Sequence, residues 1–255
     1  MNPELKKFLS RHEILDLIDA CKFEEVYRIV ADEDTMPTCM LTDFFYELDI
    51  DPLSHMTKIP EYFDTASGRT GNITIPQGIT SIGREAFYLC GNFDGELIIP
   101  EGVTHIGYAA FSMCDRLNKL VLPETLNSID DDAFSHCSGF TGQLVIPSNI
   151  TKIKEATFYG CEGFTGELII PESVTWIDRR AFSGCSGFTK LVIPKSVRFI
   201  GDQSFCSTML KNIQFNGTID EWNSIQIHEN AWLRLTTRLV NCVDGKTYLR
   251  HTKMI

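Results

Sequence analysis

The sequence predicts an α/β solenoid of short parallel strands, preceded by a small all-α N-terminal domain. Three observations carry this. Residues 161–171 read CEGFTGELIIP and residues 137–147 read CSGFTGQLVIP, nearly the same text 24 residues apart. A proline recurs at Pro76, Pro100, Pro123, Pro147, Pro171 and Pro194, in steps of 24, 23, 24, 24 and 23 residues. A phenylalanine recurs with the same steps at Phe87, Phe111, Phe134, Phe158, Phe182 and Phe205. Two ladders sharing the same irregularities define a repeat, and a fixed period of 20–50 residues is the mark of a solenoid.

The elements follow in chain order. Over residues 1–56 the apolar spacing is three and four, as in Ile14, Leu15 and Ile18, then Phe23, Val26, Tyr27 and Val30, which predicts helices. Asn2 before Pro3 fits an N-cap with proline at the first helical position. Ser10 and Glu13 fit a capping box for a second helix. Pro37 interrupts before TCMLTDFFYEL, the last predicted helix, which ends before Pro52. This head either covers the open end of the array, as solenoids require, or binds a partner of its own. Residues 57–70 predict a degenerate half-repeat, because Phe63 precedes Pro76 by the same offset that separates Phe87 from Pro100.

Each unit from 71 to 211 reads by polarity. In the third, LNKLVLPETLNSIDDDAFSHC, the apolar set is Leu117, Leu120, Leu122, Leu126, Ile129 and Phe134. Leu120 and Leu122 alternate around Val121, the period of a short strand. Proline then ends the strand, having no N–H for a ladder. A second extended piece, LNSI, and a turn, DDAFSHC, complete the coil. The 23-residue coils are shorter because FTKLVIP lacks the extra glycine-bearing position of FTGELIIP. One unit cannot bury its apolar side alone, so stability is shared between stacked neighbours.

The pattern L/F-x-x-(x)-L-x-I-P-x-x-V-x-x-I-x-x-x-A-F-x-x-C, six units in register over residues 71–211, resembles the BspA-like leucine-rich repeat. IQFNGTIDEWNSI (213–225), followed by VNCVDGKTYL, resembles the segment that often closes such arrays, so residues 212–255 read as a C-terminal capping segment. The resemblance implies a right-handed leucine-rich-repeat superhelix with strands lining the concave face. It also implies protein binding, in many members at the cell surface. The sixth unit departs from the pattern: Cys206 follows Phe205 directly and Thr208 takes the ladder cysteine position, as in a worn terminal coil.

The net charge is −11, and residues 1–70 hold 15 Asp/Glu against 7 Lys/Arg, so most of the excess sits in the head. That sign argues against nucleic acid and anionic membranes as partners. The opening thirty residues carry no continuous apolar run with a cleavage pattern, and no run of about 18 apolar residues occurs anywhere. The expected location is therefore cytoplasmic, and the surface role of the family does not transfer. Nine cysteines, an odd number, agree. Cys90, Cys114, Cys137, Cys161 and Cys185 each stand three residues after a ladder phenylalanine. They read as a structural ladder of small buried hydrophobes whose S–H bonds the loop backbone.

No motif carries catalysis, and no cofactor or metal is expected. GKT at 245–247 lacks the upstream glycine of a phosphate loop, since Val240 stands there. Asp130, Asp131 and Asp132, near His136, occupy turn positions that hold Gly83, Arg84 and Glu85 in the first coil. The sequons at 72, 149 and 216 read as coincidences of a Thr-rich repeat.

What remains is surface. One outward column of the first strand reads Thr74, Ile98, Val121, Val145, Ile169, Val192; its neighbour reads Asn72, Glu96, Lys119, Gln143, Glu167, Lys190. An aliphatic stripe beside alternating charges suits a docking groove, although β-branched ladders also stabilise strand stacking without a partner. On the second extended piece the outward position reads Ser81, His105, Ser128, Lys152, Trp176, Phe199. The two aromatics suit an interface anchor, or else a contact with the C-terminal segment around Trp222 and Trp232. The expected function is a non-catalytic intracellular scaffold that binds another protein. The alternative is an inhibitor or effector that blocks a specific enzyme through the acidic head. A structural component that homo-oligomerises through exposed edges is the second alternative.

Overall fold

A computed structural model describes residues 14, 17, 18, 22–33, 41, 42, 45, 51–64, 68–235, 237 and 239–249. Most coils contribute two short strands and a turn, and the strands of successive coils stack in parallel. The second extended pieces form β1 (Lys58–Ile59), β2 (Ser81–Ile82), β4 (His105–Ile106), β6 (Ser128–Ile129), β7 (Lys152–Ile153), β9 (Trp176–Ile177), β11 (Phe199–Ile200) and β13 (Gln226–Ile227). The first pieces form β3 (Glu96–Ile98), β5 (Lys119–Val121), β8 (Gly166–Ile169), β10 (Phe188–Ile193) and β12 (Asn212–Phe215), followed by β14 (Leu239–Cys242) and β15 (Gly245–Tyr248).

The ladder phenylalanines fill the space between strands and turns. From Phe87 to Phe205 their rings lie 5.3 to 5.7 Å apart and within 2° to 11° of parallel. Identical side chains stack because each coil repeats its neighbour's backbone. Trp232 extends the pile on Phe205 at 4.9 Å.

The turn is tight because two residues per coil take positive φ, such as Asp132 (57°) and His136 (59°), or Arg180 (54°) and Gly184 (79°). Their amides and the one between them then point along the stack: Asp132, Phe134 and His136 N–H donate to Glu155, Thr157 and Tyr159 oxygens at 2.9, 3.0 and 2.6 Å. The glycine of the repeated SGF and EGF triplets has a separate cause. A Cβ on Gly139, Gly163 or Gly187 would lie 2.4, 2.4 or 2.0 Å from a carbonyl oxygen of the preceding coil. The second glycine, Gly166, is the extra position of the 24-residue coil. It sits at φ 83°, and the register with β10 shifts there, Phe188 facing Gly166 and Lys190 facing Glu167.

Among the described residues both sheets are interrupted at the fourth coil. The second-strand sheet divides into β1-β2-β4-β6 and β7-β9-β11-β13, and residues 143–145 form no strand between β5 and β8. Leu120 and Leu122 are only partly buried there. The turns bridge the break, and so do side chains. Glu124 Oε2 accepts from Ser148 N–H at 3.2 Å and Ser148 Oγ at 2.9 Å, and Lys154 pairs with Asp130.

The α/β label needs correction, and the described residues do not establish the expected all-α domain. The coils are strand and turn, so the molecule is a β-solenoid with few helices. In the head the helix α1 (Phe23–Glu33) and a 3-10 turn (Pro52–His55) are described, with single helical positions at Ile14, Leu17, Ile18, Leu41, Thr42 and Phe45. The capping expectations at Asn2, Ser10 and Glu13, and the break at Pro37, lie outside the described residues. Among the described residues Phe23, Val26 and Tyr27 of α1 belong to the solenoid core, and the Tyr27 ring lies 5.3 Å from Phe63. Glu24 shows what α1 does at the open end. Within each sheet a second strand donates backward to its neighbour, as Thr80 N–H does to Thr57 O at 2.7 Å. Among the described residues β1 is the edge of its sheet, and Glu24 Oε1 accepts from Thr57 N–H, Thr57 Oγ1 and Lys58 N–H at 2.6, 2.9 and 2.9 Å. Partial burial pushes its carboxyl up, but these bonds outweigh it and hold the pKa below the ordinary value.

At the other end, α2 (Ile219–Ser224) begins with a capping box between Thr218 and Glu221. β14 continues the parallel sheet and β15 folds back antiparallel on it.

Candidate functional faces

The first-strand face is built by alternation. Leu97, Leu144, Leu168 and Leu191 point inward and are buried. The residues after them point outward. Ile98 is 51% exposed, Val121 37%, Val145 65% and Ile169 46%; Val192 is half-buried. The four coils thus carry an unbroken row of exposed branched side chains, with the most exposed member at the break in the sheet.

The adjacent column is charged but satisfied from within. Lys119 Nζ donates to Glu96 Oε2 at 3.0 Å, and Lys190 Nζ to Glu167 Oε1 at 3.0 Å. Gln143 stands between these two pairs. Such exposed ion pairs contribute little stability, roughly 0–1 kcal/mol. They form a neutral rail beside the aliphatic row rather than a free charged patch.

On the second-strand face, Trp176 and Phe199 face each other in register and stack at 3.8 Å and 17°. Lys152 Nζ lies 5.9 Å from the Trp176 ring. Both aromatics are half-buried. Trp222 and Trp232 are buried in the C-terminal segment, 6.4 Å from each other.

The ladder cysteines line the interior of the turn. Cys90, Cys114, Cys137, Cys161 and Cys185 are buried free thiols. Four of them donate to a phenylalanine carbonyl one coil back: Cys114 to Phe87 at 3.1 Å, Cys137 to Phe111 at 3.0 Å, Cys161 to Phe134 at 3.1 Å and Cys185 to Phe158 at 3.0 Å. Cys90 reaches Asp64 O at 2.8 Å. Burial pushes the thiols of Cys114, Cys137, Cys161 and Cys185 up, that of Cys185 to about 12. A buried thiol kept in its protonated form is a poor nucleophile.

Among the described residues no group of His, Cys, Asp and Glu has metal-binding geometry, and no helix is long and apolar enough to cross a membrane. Asp130, from the DDD run, bonds Lys154 and His105, the latter at 3.3 Å.

The repeat is matched by the family model for the BspA type leucine rich repeat region, in six copies over residues 57–162 and 141–234. This chain belongs to the BspA-type leucine-rich repeat family. A Treponema (T. pallidum) leucine rich repeat protein has a similar fold, at TM-score 0.51 and 24% identity over 64% of this chain and 78% of that one. A leucine rich cell surface protein of Faecalibacterium prausnitzii is 23% identical over 69% of this chain and 61% of its own, at TM-score 0.41. A Bacteroides ovatus leucine-rich repeat protein is 20% identical over 62% and 59%, at 0.40. No curated protein matches this chain. A BspA-type repeat array is a fold suited to protein interaction, and the partner is a matter of surface.

Two features escaped the sequence reading. The break between coils three and four has no residue signature. A groove on the turn face had one: the position after each ladder phenylalanine reads Tyr88, Ser112, Ser135, Tyr159, Ser183, small residues between tyrosines.

Proposed function

We propose that this chain is a non-catalytic scaffold, acting inside the cell, whose first-strand face docks a partner protein. The observation that carries this is the exposed row Ile98, Val121, Val145 and Ile169. Strand stacking alone does not require large apolar side chains to face water on four successive coils. Fixed branched side chains also lose little entropy on contact, which suits a rigid docking surface. The neighbouring ion pairs set a polar border that partner groups can exchange with, so Glu96 and Glu167 act on association rate and salt dependence. Free ladder thiols engaged to carbonyls fit a reducing compartment.

The Trp176–Phe199 stack is a second candidate contact, since it holds two rings at the surface with Lys152 beside them. The two readings separate by mutation. Partner captured from the native cell with the intact chain is purified and titrated against Val145→Asp and Trp176→Ala, each first shown folded by its melt. Docking on the first-strand face predicts about tenfold or greater weakening by Val145→Asp, mainly through faster dissociation, and little by Trp176→Ala. Normal binding by Val145→Asp contradicts the proposal.

A further inference from the structure

The turn face carries a groove of about 350 Å3 over coils one to five. It exists because Ser112 and Ser135, both buried, stand between Tyr88 and Tyr159 in the same column. Two coils without a large side chain leave a trough about 10 Å along the stack, with a tyrosine at each end. Tyr108, 37% exposed, adds a third aromatic wall. Its volume lies at the small end of the range for ligand pockets, suited to one long side chain and its flanking backbone.

The lining holds one carboxylate outside its ion pairs. Glu85, Asp132 and Glu155 border the groove against a single arginine, Arg180. Glu85 is engaged by Arg84 at 2.9 Å and Glu155 by Arg179 at 3.4 Å. Asp132 has no such partner within 4 Å among the described residues. Burial raises its pKa, with Asp131 adding to the effect and the Ser135 bond, His136 and Arg180 opposing it. A carboxylate that is partly desolvated gains from a cation brought to it. One wall already shows how such a cation sits: the Arg84 guanidinium lies 4.5 Å over the Tyr108 ring while pairing with Glu85.

We propose that this groove binds a basic segment of a partner protein, seating an arginine side chain among Tyr88, Tyr108 and Tyr159 with Asp132 as its counter-charge. Arginine suits it better than lysine, because a planar guanidinium stacks on a ring and pairs with a carboxylate at once. The repeats and C-terminal segment keep a small acidic excess, 19 Asp/Glu against 16 Lys/Arg after residue 70, which mildly favours the approach of such a segment. The site lies away from the first-strand face and stands independently of docking there.

The test is fluorescence anisotropy with a labelled glycine–serine peptide carrying arginine, beside the same peptide with citrulline in its place. Saturable binding is expected for the arginine peptide, and about tenfold weaker binding for citrulline. Asp132→Asn should weaken the arginine peptide by a similar factor. Asparagine tolerates the positive φ of 57° at this position, so the fold is kept. Tyr159→Ala should weaken it too, whereas Val145→Asp should not. No saturable binding of the arginine peptide, equal binding of citrulline, or full binding by Asp132→Asn overturns the proposal. Loss of binding in folded Val145→Asp also overturns it, by placing the peptide on the other face.

Discussion

The Cys137 thiol donates to the carbonyl oxygen of Phe111, one coil earlier, at 3.0 Å. The same bond recurs from Cys114, Cys161 and Cys185, so each coil carries a rung between the turn and the aromatic pile. Phe111 O also accepts from Cys114 N–H at 3.3 Å, so the thiol takes a second acceptor site on a carbonyl packed between two coils, a bond of about 0.5–1.5 kcal/mol. A thiol serves here because it is small, tolerates burial and still donates.

Alkylation reads this directly. At neutral pH the folded protein should leave Cys114, Cys137 and Cys161 unlabelled until denaturant is added, since reaction needs an exposed thiolate. Rapid labelling under native conditions contradicts their place in the turn. The linkage has a sign as well. The Cys185 pKa is raised from an ordinary 9.0 to about 12, so its contribution is complete below pH 9 and is lost as pH rises toward 12. The urea midpoint of Cys185→Ala should therefore fall less steeply over that window than that of the intact chain. Parallel slopes contradict the linkage.

Phe134→Ala removes a ring that lies 5.5 Å from Phe111 and 5.7 Å from Phe158. The cavity should cost about 3–5 kcal/mol, and the loss should reach neighbouring coils because each is buried only by its neighbours. A thermal melt unchanged within error contradicts the stacking.

Two glycines of one coil should behave differently. Gly163→Ala places a Cβ 2.4 Å from Phe140 O and 2.7 Å from Ser138 O, so the coils must part, at a cost of about 1–3 kcal/mol or more. Gly142→Ala meets nothing within 4 Å and suffers only its φ of 78°, about 1–2 kcal/mol. The measurement is the pair of denaturant midpoints; a smaller loss for Gly163→Ala contradicts the close approach.

The break between coils three and four should be visible in hydrogen exchange. Thr175 and Asp178 N–H donate across their junction at 2.9 and 2.8 Å, whereas β6 and β7 are unpaired. The amides of Thr151 and Lys154 should exchange faster than those of Thr175 and Asp178, and Glu124→Ala should widen the difference by removing the Ser148 bridge. Equal protection at both junctions contradicts a break in the ladder.

The repeat was open to reading because stacking demands the same answer at every coil. Phe134 and Phe158 must both be phenylalanine for their rings to pile, and Gly139 and Gly163 must both lack a Cβ beside a carbonyl. Such constraints leave periodic marks. The head leaves a different one. Spacing at Phe23, Val26 and Tyr27 marks a helix, but nothing local says that its apolar side lies on Phe63, or that Glu24 bonds β1. The break is harder still, because ladder pairing depends on backbone spacing that Lys152 and Ile153 do not encode. The groove was visible in the column Tyr88, Ser112, Ser135, Tyr159, but an outward turn position carries no burial pattern to draw the eye. For the candidate faces, the sequence reading assigned Ile98 and Val145 outward positions by alternation. It had no means of pairing Glu96 with Lys119 rather than leaving both free.

The most direct test of docking on the first-strand face is photo-crosslinking in the native cell. A benzophenone side chain replaces Val145 in one chain, Trp176 in a second and exposed Leu89 on the turn face in a third. The account predicts a discrete adduct with one protein from position 145, suppressed when Val121→Asp is added to the same folded chain. An adduct from position 176 or 89 with none from 145 contradicts it.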